Sequence, residues 1–467
     1  MMQAPRDFDA VIIGAGPAGS TAAILLARAG WSVALVEKQA FPRRKVCGEC
    51  LAAGNLPLLE ALGLEGTVAQ AGPALRQMVL MQGHQQVSAE LPAADDRQHR
   101  WGRALGRETL DTELLEQARA AGVSVFQPWT VQALDGGAGQ WRCAIRRPLT
   151  AEDDTMGADA SAPTLEADAS PASAPSSLTL YAPVAIAAHG SWEALPSERP
   201  ARRKARKPSD LLAFKAEFRG ASLPPGQLPV LSFEGGYGGM VVGDDGLLTL
   251  ACCVRSDRLE ALRREAPGTR AGDVVEAMLQ RECQGVRTAL TSAVRQGAWL
   301  AAGPVRPGVR LGDNDGLFRI GNAAGEAHPI IGEGMSMALQ SAWLLCAHLL
   351  QAPSPNEAAD PQWQRRTAGD YAAQWRQFFA PRLRLAAAFA HLAMRPRMSH
   401  ALMSLLQRWP GLLTLGARWA GKADCAIDPL SVSVLGRGAR PARLFTGTAP
   451  QPAYLAARRL TAKTHTP

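Results

Sequence analysis

No stretch of this chain holds the roughly 18 uninterrupted apolar residues that would cross a bilayer. The densest stretch, 335–350, is broken by Ser, Gln and His, so at most a peripheral membrane association is expected. Eight cysteines lie at irregular spacings, with no basic segment and cleavage signal ahead of the first apolar run. A disulfide framework or an export leader is therefore not expected, and reduced thiols in a cytoplasmic setting are the default. Only one CxxC occurs, Cys47 to Cys50, so a four-ligand zinc site cannot be completed, the cysteine spacing of an iron–sulfur ferredoxin is missing, and no metal is assigned. Acidic residues are outnumbered, 42 against 50 basic, giving a net charge of +8. The arginines are scattered and lack interleaved aromatics, which excludes nucleic acid as the expected partner. One basic run, Arg202 to Lys207, reads as a solvated loop, with an acidic carrier or an anionic membrane as the alternative.

At 467 residues, 47% of them hydrophobic, the chain is long enough for two or three packed units. Asp9 to Ile13 is a short branched apolar run, followed by glycines, a long Ala/Leu/Ile stretch to Arg28, and a second apolar run from Ser32 to Val36. Strand, tight turn, helix and strand within about thirty residues form a βαβ unit. Helical spacing spans Gly106 to Ala121, with strands following near 123–126, 131–134, 141–146 and 184–187. Residues 151–177 are Ala, Ser, Pro, Asp and Thr with few large apolar side chains, the composition of a disordered insertion. From 208 to 300 the pattern changes to strands with Gly-rich turns and one helix near 273–283. A long buried helix is expected over Glu333–Leu350 and amphipathic helices from Tyr371 to Trp419. No internal repeat is present.

The turn between the first strand and helix reads Gly14-Ala15-Gly16-Pro17-Ala18-Gly19, and Glu37 stands at the end of the next strand. Gly14 permits the tight turn, Gly16 lets backbone amides approach a pyrophosphate, and Gly19 lets helix and strand pack closely. The helix N-terminus favours the phosphates, and Glu37 would accept from ribose hydroxyls. A dinucleotide follows; NAD and FAD both fit this turn. Two further segments select FAD. Leu105 to Asp111 opens a helix with Arg107. Arg319-Ile320-Gly321-Asn322 is followed by His328-Pro329 and then Gly332-Glu333-Gly334-Met335. A strand ending in a polar residue, a loop and a helix N-terminus suit a ribityl chain and the pyrimidine side of an isoalloxazine.

Together these motifs, with the loop Lys45-Val46-Cys47-Gly48-Glu49, resemble the FAD-dependent oxidoreductases of the p-hydroxybenzoate hydroxylase fold, in the branch holding geranylgeranyl reductases and flavin-dependent halogenases. The resemblance covers residues 7 to about 350. It implies FAD contacts from Gly14, Gly16, Pro17, Ala18, Gly19, Glu37, Lys38, Lys45, Val46, Cys47, Gly48, Arg107, Asn322, Gly332, Gly334 and Met335, with Val131 meeting the adenine through its backbone. It also implies a two-domain α/β flavoprotein. A discontinuous, Rossmann-like FAD domain (7–75, 101–195, 303–350) carries an inserted β-rich substrate domain (76–100, 208–302). A helical region (351–445) and a flexible tail (446–467) complete the expected chain.

Four departures are informative. The family's Gly-Asp is Gly321-Asn322 here, and an amide carbonyl can still accept from the ribityl chain. Its Ala-Asp-Gly motif is Ala188-His189-Gly190, which leaves NADH or NADPH as a candidate electron donor without assigning it. The halogenase Trp-x-Trp-x-Ile-Pro signature is absent, which argues against halogenation, and Phe233 to Met240 replaces the prenyl reductases' Tyr-x-Trp-x-Phe-Pro strand, which argues against a prenyl substrate.

Lesser signals divide between structure and chemistry. Cys47 reads as a residue beside the flavin with Cys50 incidental, against a redox dithiol. Cys252 and Cys253 alternate across a strand and should face opposite sides. His328 and Tyr237 are the weak catalytic candidates, each also readable as a structural hydrogen-bonding group. Glu326 and Glu333 suit loop geometry. The apolar stripe Leu383 to Leu415 packs on its own domain, or else covers a lipid-like substrate or rests on a membrane. The expected function is FAD-dependent redox chemistry on a small apolar organic substrate, lipid-like or carrier-bound forms included. A monooxygenase leads, a reductase or dehydrogenase of a C=C or C–C unit is the alternative, and a non-catalytic FAD-binding redox partner is the third reading. Oligomeric state is not assigned.

Overall fold

The computed structural model describes residues 6–148, 176–191, 207–311 and 315–422. Strand β1 (Ala10–Ile13) runs into helix α1 (Pro17–Arg28) and returns in β2 (Val33–Val36). A hairpin, β3 (Gln77–Gln82) and β4 (Gln85–Glu90), precedes helix α2 (Arg107–Ala120) and β5 (Ser124–Phe126). Strands β6 (Thr130–Gly137), β7 (Gln140–Arg146), β8 (Ser177–Ala182) and β9 (Val184–Ala187) follow.

Next come β10 (Leu211–Arg219), β11 (Gln227–Phe233), β12 (Gly236–Val242) and β13 (Leu248–Arg255). Helices α3 (Ser256–Glu265), α4 (Ala271–Glu282) and α5 (Gln284–Leu290) separate them from the long strand β14 (Val294–Val305). The short β15 (Phe318–Arg319) leads to α6 (Gly334–Leu349), and α7 (Pro361–Ala393), α8 (Pro396–Arg408) and α9 (Gly411–Trp419) end the described chain.

The first sheet is parallel, in the order β15-β9-β1-β2-β5. Strands β1, β2 and β9 are buried at every position, as strands covered on both faces must be. Ile12 and Leu35 pack with Ile24, Leu114 and Leu345 from the helices on one face. Val11 and Ile13 pack with Trp141 and Ile145 on the other, where β6, β7 and β8 form an antiparallel layer closed by Arg6–Asp7.

The second sheet has seven strands, in the order β14-β10-β13-β12-β11-β3-β4; only β3 and β11 pair in parallel. Along β10 the side chains alternate. Phe214, Ala216 and Phe218 pack with Leu259, Val275 and Leu279 of α3 and α4, while Leu211 and Ala213 join Tyr237 and Cys253 on the opposite face. Lys215 and Glu217 share that second face by the same alternation.

Three details differ from the sequence reading. Three helices, not one, fill 256–290, because the charge-rich α3 buries only a narrow stripe of Leu259 and Leu262. Ser177 opens β8 and so ends the 151–177 insertion early; residues 151–175 lie outside the described residues, as do the basic residues 202–206 and everything after Lys422. Among the described residues the C-terminal part has a short helix, Pro355–Ala358, and three longer ones, the first beginning at Pro361, capped by Asp360 on the amides of Gln362 and Trp363.

Candidate functional site

A parallel sheet sends the carboxyl ends of all its strands to one edge, so loops far apart in sequence meet there. Gly14 follows β1, Glu37 follows β2, Ala188-His189-Gly190 follows β9, and Ile320-Gly321-Asn322 follows β15. The loops are packed too closely for ordinary side chains. A Cβ on Gly14, whose φ is +103°, would fall 2.6 Å from the Ala188 carbonyl oxygen, and one on Gly19 would fall 1.8 Å from that of Gly14. A Cβ on Gly321 would sit 3.0 Å from Ala18, so the Asn322 turn lies directly on α1.

Gly16 is different. A Cβ there would meet nothing closer than the guanidinium nitrogens of Arg43 and Arg107, each at 3.8 Å. Gly16 caps α1 without any side-chain hydrogen bond to the first-turn amides. An open space, free helix amides and two flanking guanidinium groups make a cradle for an anion, and a dinucleotide pyrophosphate fits it.

Two carboxylates hold the cradle. Glu37 accepts from the amide of Ala15 at 2.9 Å, that of Gln39 at 3.0 Å and Arg43 Nη1 at 2.9 Å. Asp111, buried on α2, takes Arg107 in a two-point contact of 2.7 Å each and reaches Arg43 at 3.4 Å. Lys45 stands at the same mouth, its Nζ 3.9 Å from the Cβ position of Gly190. Burial, then the charges of Arg107 and Arg43, bring its pKa down to about 8. Three cations facing two carboxylates leave an excess positive charge, which an anionic ligand would offset.

The residues singled out from the sequence fall into two groups. Gly14, Gly16, Pro17, Ala18, Gly19, Glu37, Lys45, Arg107 and Asn322 converge on this edge. Lys38 is exposed beyond Glu37, and Val131 on β6 is near it through the Trp129 amide, which donates to the Glu37 carbonyl at 2.7 Å. Asn322 donates its side-chain amide to Ser191 Oγ at 2.8 Å, and Ser191 donates on to Glu326. Glu326 also takes Arg310 at 2.7 Å, a loop-building role. The second group, Val46, Cys47, Gly48, Gly332, Gly334 and Met335, belongs to the Lys45–Glu49 loop and the start of α6; Val46 packs against the second sheet, whereas Cys47 and Met335 pack in the core beneath the first. Gly332 adopts a left-handed conformation with φ +61°, and α6 begins without a side-chain cap.

The two sulfurs of the CxxC have different partners. Cys47 Sγ accepts from the Glu49 amide at 3.4 Å, and burial pushes its thiol pKa up. Cys50 Sγ accepts from Lys422 Nζ at 3.5 Å, and the same ammonium pairs with the buried Glu333 at 3.1 Å. Cys252 and Cys253 do face opposite sides, one in each packed cluster.

Tyr237 and His328, weak candidates when read separately, come together. The phenol oxygen lies 3.2 Å from His328 Nδ1, and the His391 ring on α7 is 6.0 Å further on. Burial and then His391 lower the His328 pKa to about 4, so it is neutral at pH 7. Desolvation raises that of Tyr237 well above its usual range. Val46, Ile330, Ala213, Ala390 and Ala393 surround Tyr237, an apolar setting made by the flavin-side loops, the second sheet and α7.

One group was missed. Lys215, 1% exposed in the middle of β10, contacts Glu49 at 2.5 Å and Glu217 at 2.7 Å. Glu49 also accepts from Thr249 Oγ1 at 2.7 Å and from the Arg107 amide at 3.1 Å, and Arg44 closes the chain on Glu217 at 2.9 Å. Burial alone would lower the Lys215 pKa; Glu49 and Glu217 outweigh it and raise it. Among the described residues Glu49 is the one non-glycine with positive φ, +55°, so the network holds the loop in a conformation most side chains avoid. Lysine and glutamate at alternate positions of an otherwise apolar strand were the available signal.

The chain matches the FAD binding domain family over residues 7–159. A tryptophan 2-halogenase of Chondromyces crocatus is 36% identical over 136 residues, 29% of this chain and 25% of that protein. The menaquinone reductase of Mycolicibacterium smegmatis is 48% identical over 56 residues, 12% of this chain and 14% of the reductase. The first curated relatives are thus matched over only about a quarter to a third of their length. The structure of a myxobacterial chondrochloren halogenase, described as a variant of FAD-dependent halogenases, superposes with a TM-score of 0.66 at 20% identity, covering 92% of this chain and 97% of that one.

Proposed function

From an FAD-binding domain carried on a two-domain fold of the p-hydroxybenzoate hydroxylase type, we propose a flavin-dependent oxidoreductase, and within that class a monooxygenase acting on an apolar organic substrate. The observation that carries the substrate class is the apolar enclosure around Tyr237, shared by the second sheet, the Val46 loop and α7. Similarity to halogenases, whose reaction is of the monooxygenase type, supports the oxygen-using reading.

FAD, when bound, supplies the two-electron redox chemistry and, once reduced, the reaction with O₂. The chain's own residues bind and orient. Gly16, the α1 amides, Arg43, Lys45 and Arg107 would hold the pyrophosphate, and the Asn322 carbonyl could accept from the ribityl chain. Lys215 fixes the Lys45–Glu49 loop through Glu49. Apolar side chains exclude water from the reacting region. Tyr237 and His328 form a neutral pair able to hold or pass one proton at the phenol oxygen.

The reductase reading is favoured by one observation, the 48% identity with the menaquinone reductase over 56 residues. Anaerobic mixing of the FAD-loaded protein with NADH or NADPH, followed by O₂, separates the two. An oxygen-dependent transient, spectrally distinct from oxidised and reduced flavin, is expected for the monooxygenase. Direct one-step reoxidation by a quinone or alkene, with no such transient in O₂, would replace it with the reductase. Failure of both nicotinamides to reduce the flavin would rule out a self-sufficient monooxygenase.

A further inference from the structure

The last two helices carry more apolar surface than their own packing consumes. Nine large hydrophobic side chains are exposed among the described residues, and six of them, Met398, Leu405, Trp409, Leu412, Leu415 and Trp419, lie between positions 398 and 419. They are ordered by helical geometry. Met398, Ala401 and Leu405 follow i, i+3, i+7 spacing on α8, and Leu412, Leu415 and Trp419 repeat it on α9, which puts each set on one stripe of its helix. Trp409 stands at the turn between them, 55% exposed, and Trp419 is 61% exposed.

Neither helix can turn these stripes inward, because a different stripe already does the packing. Met403 and Leu406 of α8 pack with Leu80 and Val87 of the β3–β4 hairpin. On α9, Ala417 packs with Cys50, Ala104 and Val241, and Thr414 Oγ1 donates to the Glu90 carbonyl at 2.6 Å. Buried stripe, exposed apolar stripe and cations therefore share each helix, unlike the two-sided pattern of an ordinary surface helix.

Charge names the occupant. No Asp or Glu occurs between Asp370 and Asp424, a stretch with seven arginines and one lysine. Arg397 and Arg408 on α8 and Arg418 on α9 are exposed beside the apolar stripes, with Arg395 just ahead. Exposed tryptophan and leucine flanked by arginine, with no acidic residue on either helix, is the composition of helices that lie in a membrane interface. No described helix is long and apolar enough to cross a bilayer.

We propose that α8 and α9 dock this protein on the surface of an anionic bilayer, the apolar stripes entering the headgroup boundary and the arginines meeting lipid phosphates. This docking is independent of what the flavin site oxidises.

The test is co-sedimentation of the full-length, FAD-loaded protein with vesicles of phosphatidylglycerol in phosphatidylcholine and with phosphatidylcholine alone. Binding to the anionic vesicles is expected, weakened by high salt, and reduced at least about tenfold by Trp409→Ser with Trp419→Ser, at unchanged flavin absorbance. If that double variant fails to fold, Leu405→Ser with Leu415→Ser carries the same expectation. Wild-type protein that stays in the supernatant, or variants that bind as wild type does, would overturn the proposal. So would a wild-type dimer that the tryptophan variant converts to monomer, since the stripes would then belong to a second copy.

Discussion

Replacing Lys215 by methionine removes the cation that bridges Glu49 and Glu217 while keeping the volume of the side chain. The ammonium is 1% exposed and touches both carboxylates. Glu49 would keep Thr249 Oγ1 and the Arg107 amide, and Glu217 would keep Arg44, so part of the loss is offset. Breaking a buried pair costs about 3–5 kcal/mol; with those remaining partners the lower end, about 3 kcal/mol, is expected. Urea unfolding of the flavin-free variant at neutral pH measures it. Adding Glu49→Gln to Lys215→Met should recover about 1–2 kcal/mol. The flavin should also bind more weakly, since the left-handed Glu49 would lose its main anchor. A Lys215→Met protein within about 0.5 kcal/mol of wild type, or a double variant no better than the single, would show that the network does not hold the loop.

Gly16 and Gly19 should fail differently. Gly16→Leu enters open space between two arginines, so the apo chain should unfold within about 1 kcal/mol of wild type while losing its yellow colour. Gly19→Ala forces a Cβ to 1.8 Å from the Gly14 carbonyl and should lower both the melting temperature and the flavin content. FAD affinity, read by fluorescence titration, should fall as pH rises past about 8, by up to roughly tenfold per unit: Lys45 loses its proton there in the free protein, and a bound pyrophosphate would hold it on. An affinity flat from pH 7 to pH 10 would remove Lys45 from the phosphate site. Tyr237→Phe leaves His328 Nδ1 buried without its phenol partner; a stability loss of about 1–2 kcal/mol is expected with flavin stoichiometry intact, and slower turnover if the pair handles a proton.

The parallel βαβ unit was readable because its signals are local. Glycine spacing, a branched strand and a terminal glutamate all fall between Ala10 and Glu37, and the structure places them as that pattern requires. The same holds for α6 and the glycines before it. What stayed hidden depends on pairs far apart in sequence. Lys215 meets Glu49 across 166 positions and Tyr237 meets His328 across 91. A lone tyrosine or histidine carries no information about which partner the fold brings to it. Of the three helices of 256–290 only the middle one was read, and α3 was missed because it buries only Ser256, Leu259 and Leu262, too thin a stripe to stand out from a charged loop.

Helix α7 has a mechanical consequence. Its 33 residues, Pro381 among them, run about 50 Å along the helix path. Partway along it Tyr371 donates to the Arg319 carbonyl at 2.8 Å and Trp375 fills the space above Gly325. At its C-terminal end the Ala393 carbonyl accepts from Ser232 of the second sheet at 2.8 Å, and the Met394 carbonyl accepts from the Gly235 amide at 3.1 Å. The helix is thus bolted to both sheets and sets the distance between them. Hinge opening of one sheet from the other would have to break a bolt, whereas rearranging the 328–334 turn would not. Access for a substrate is accordingly a matter of loop movement inside a braced frame, and α7 is the brace.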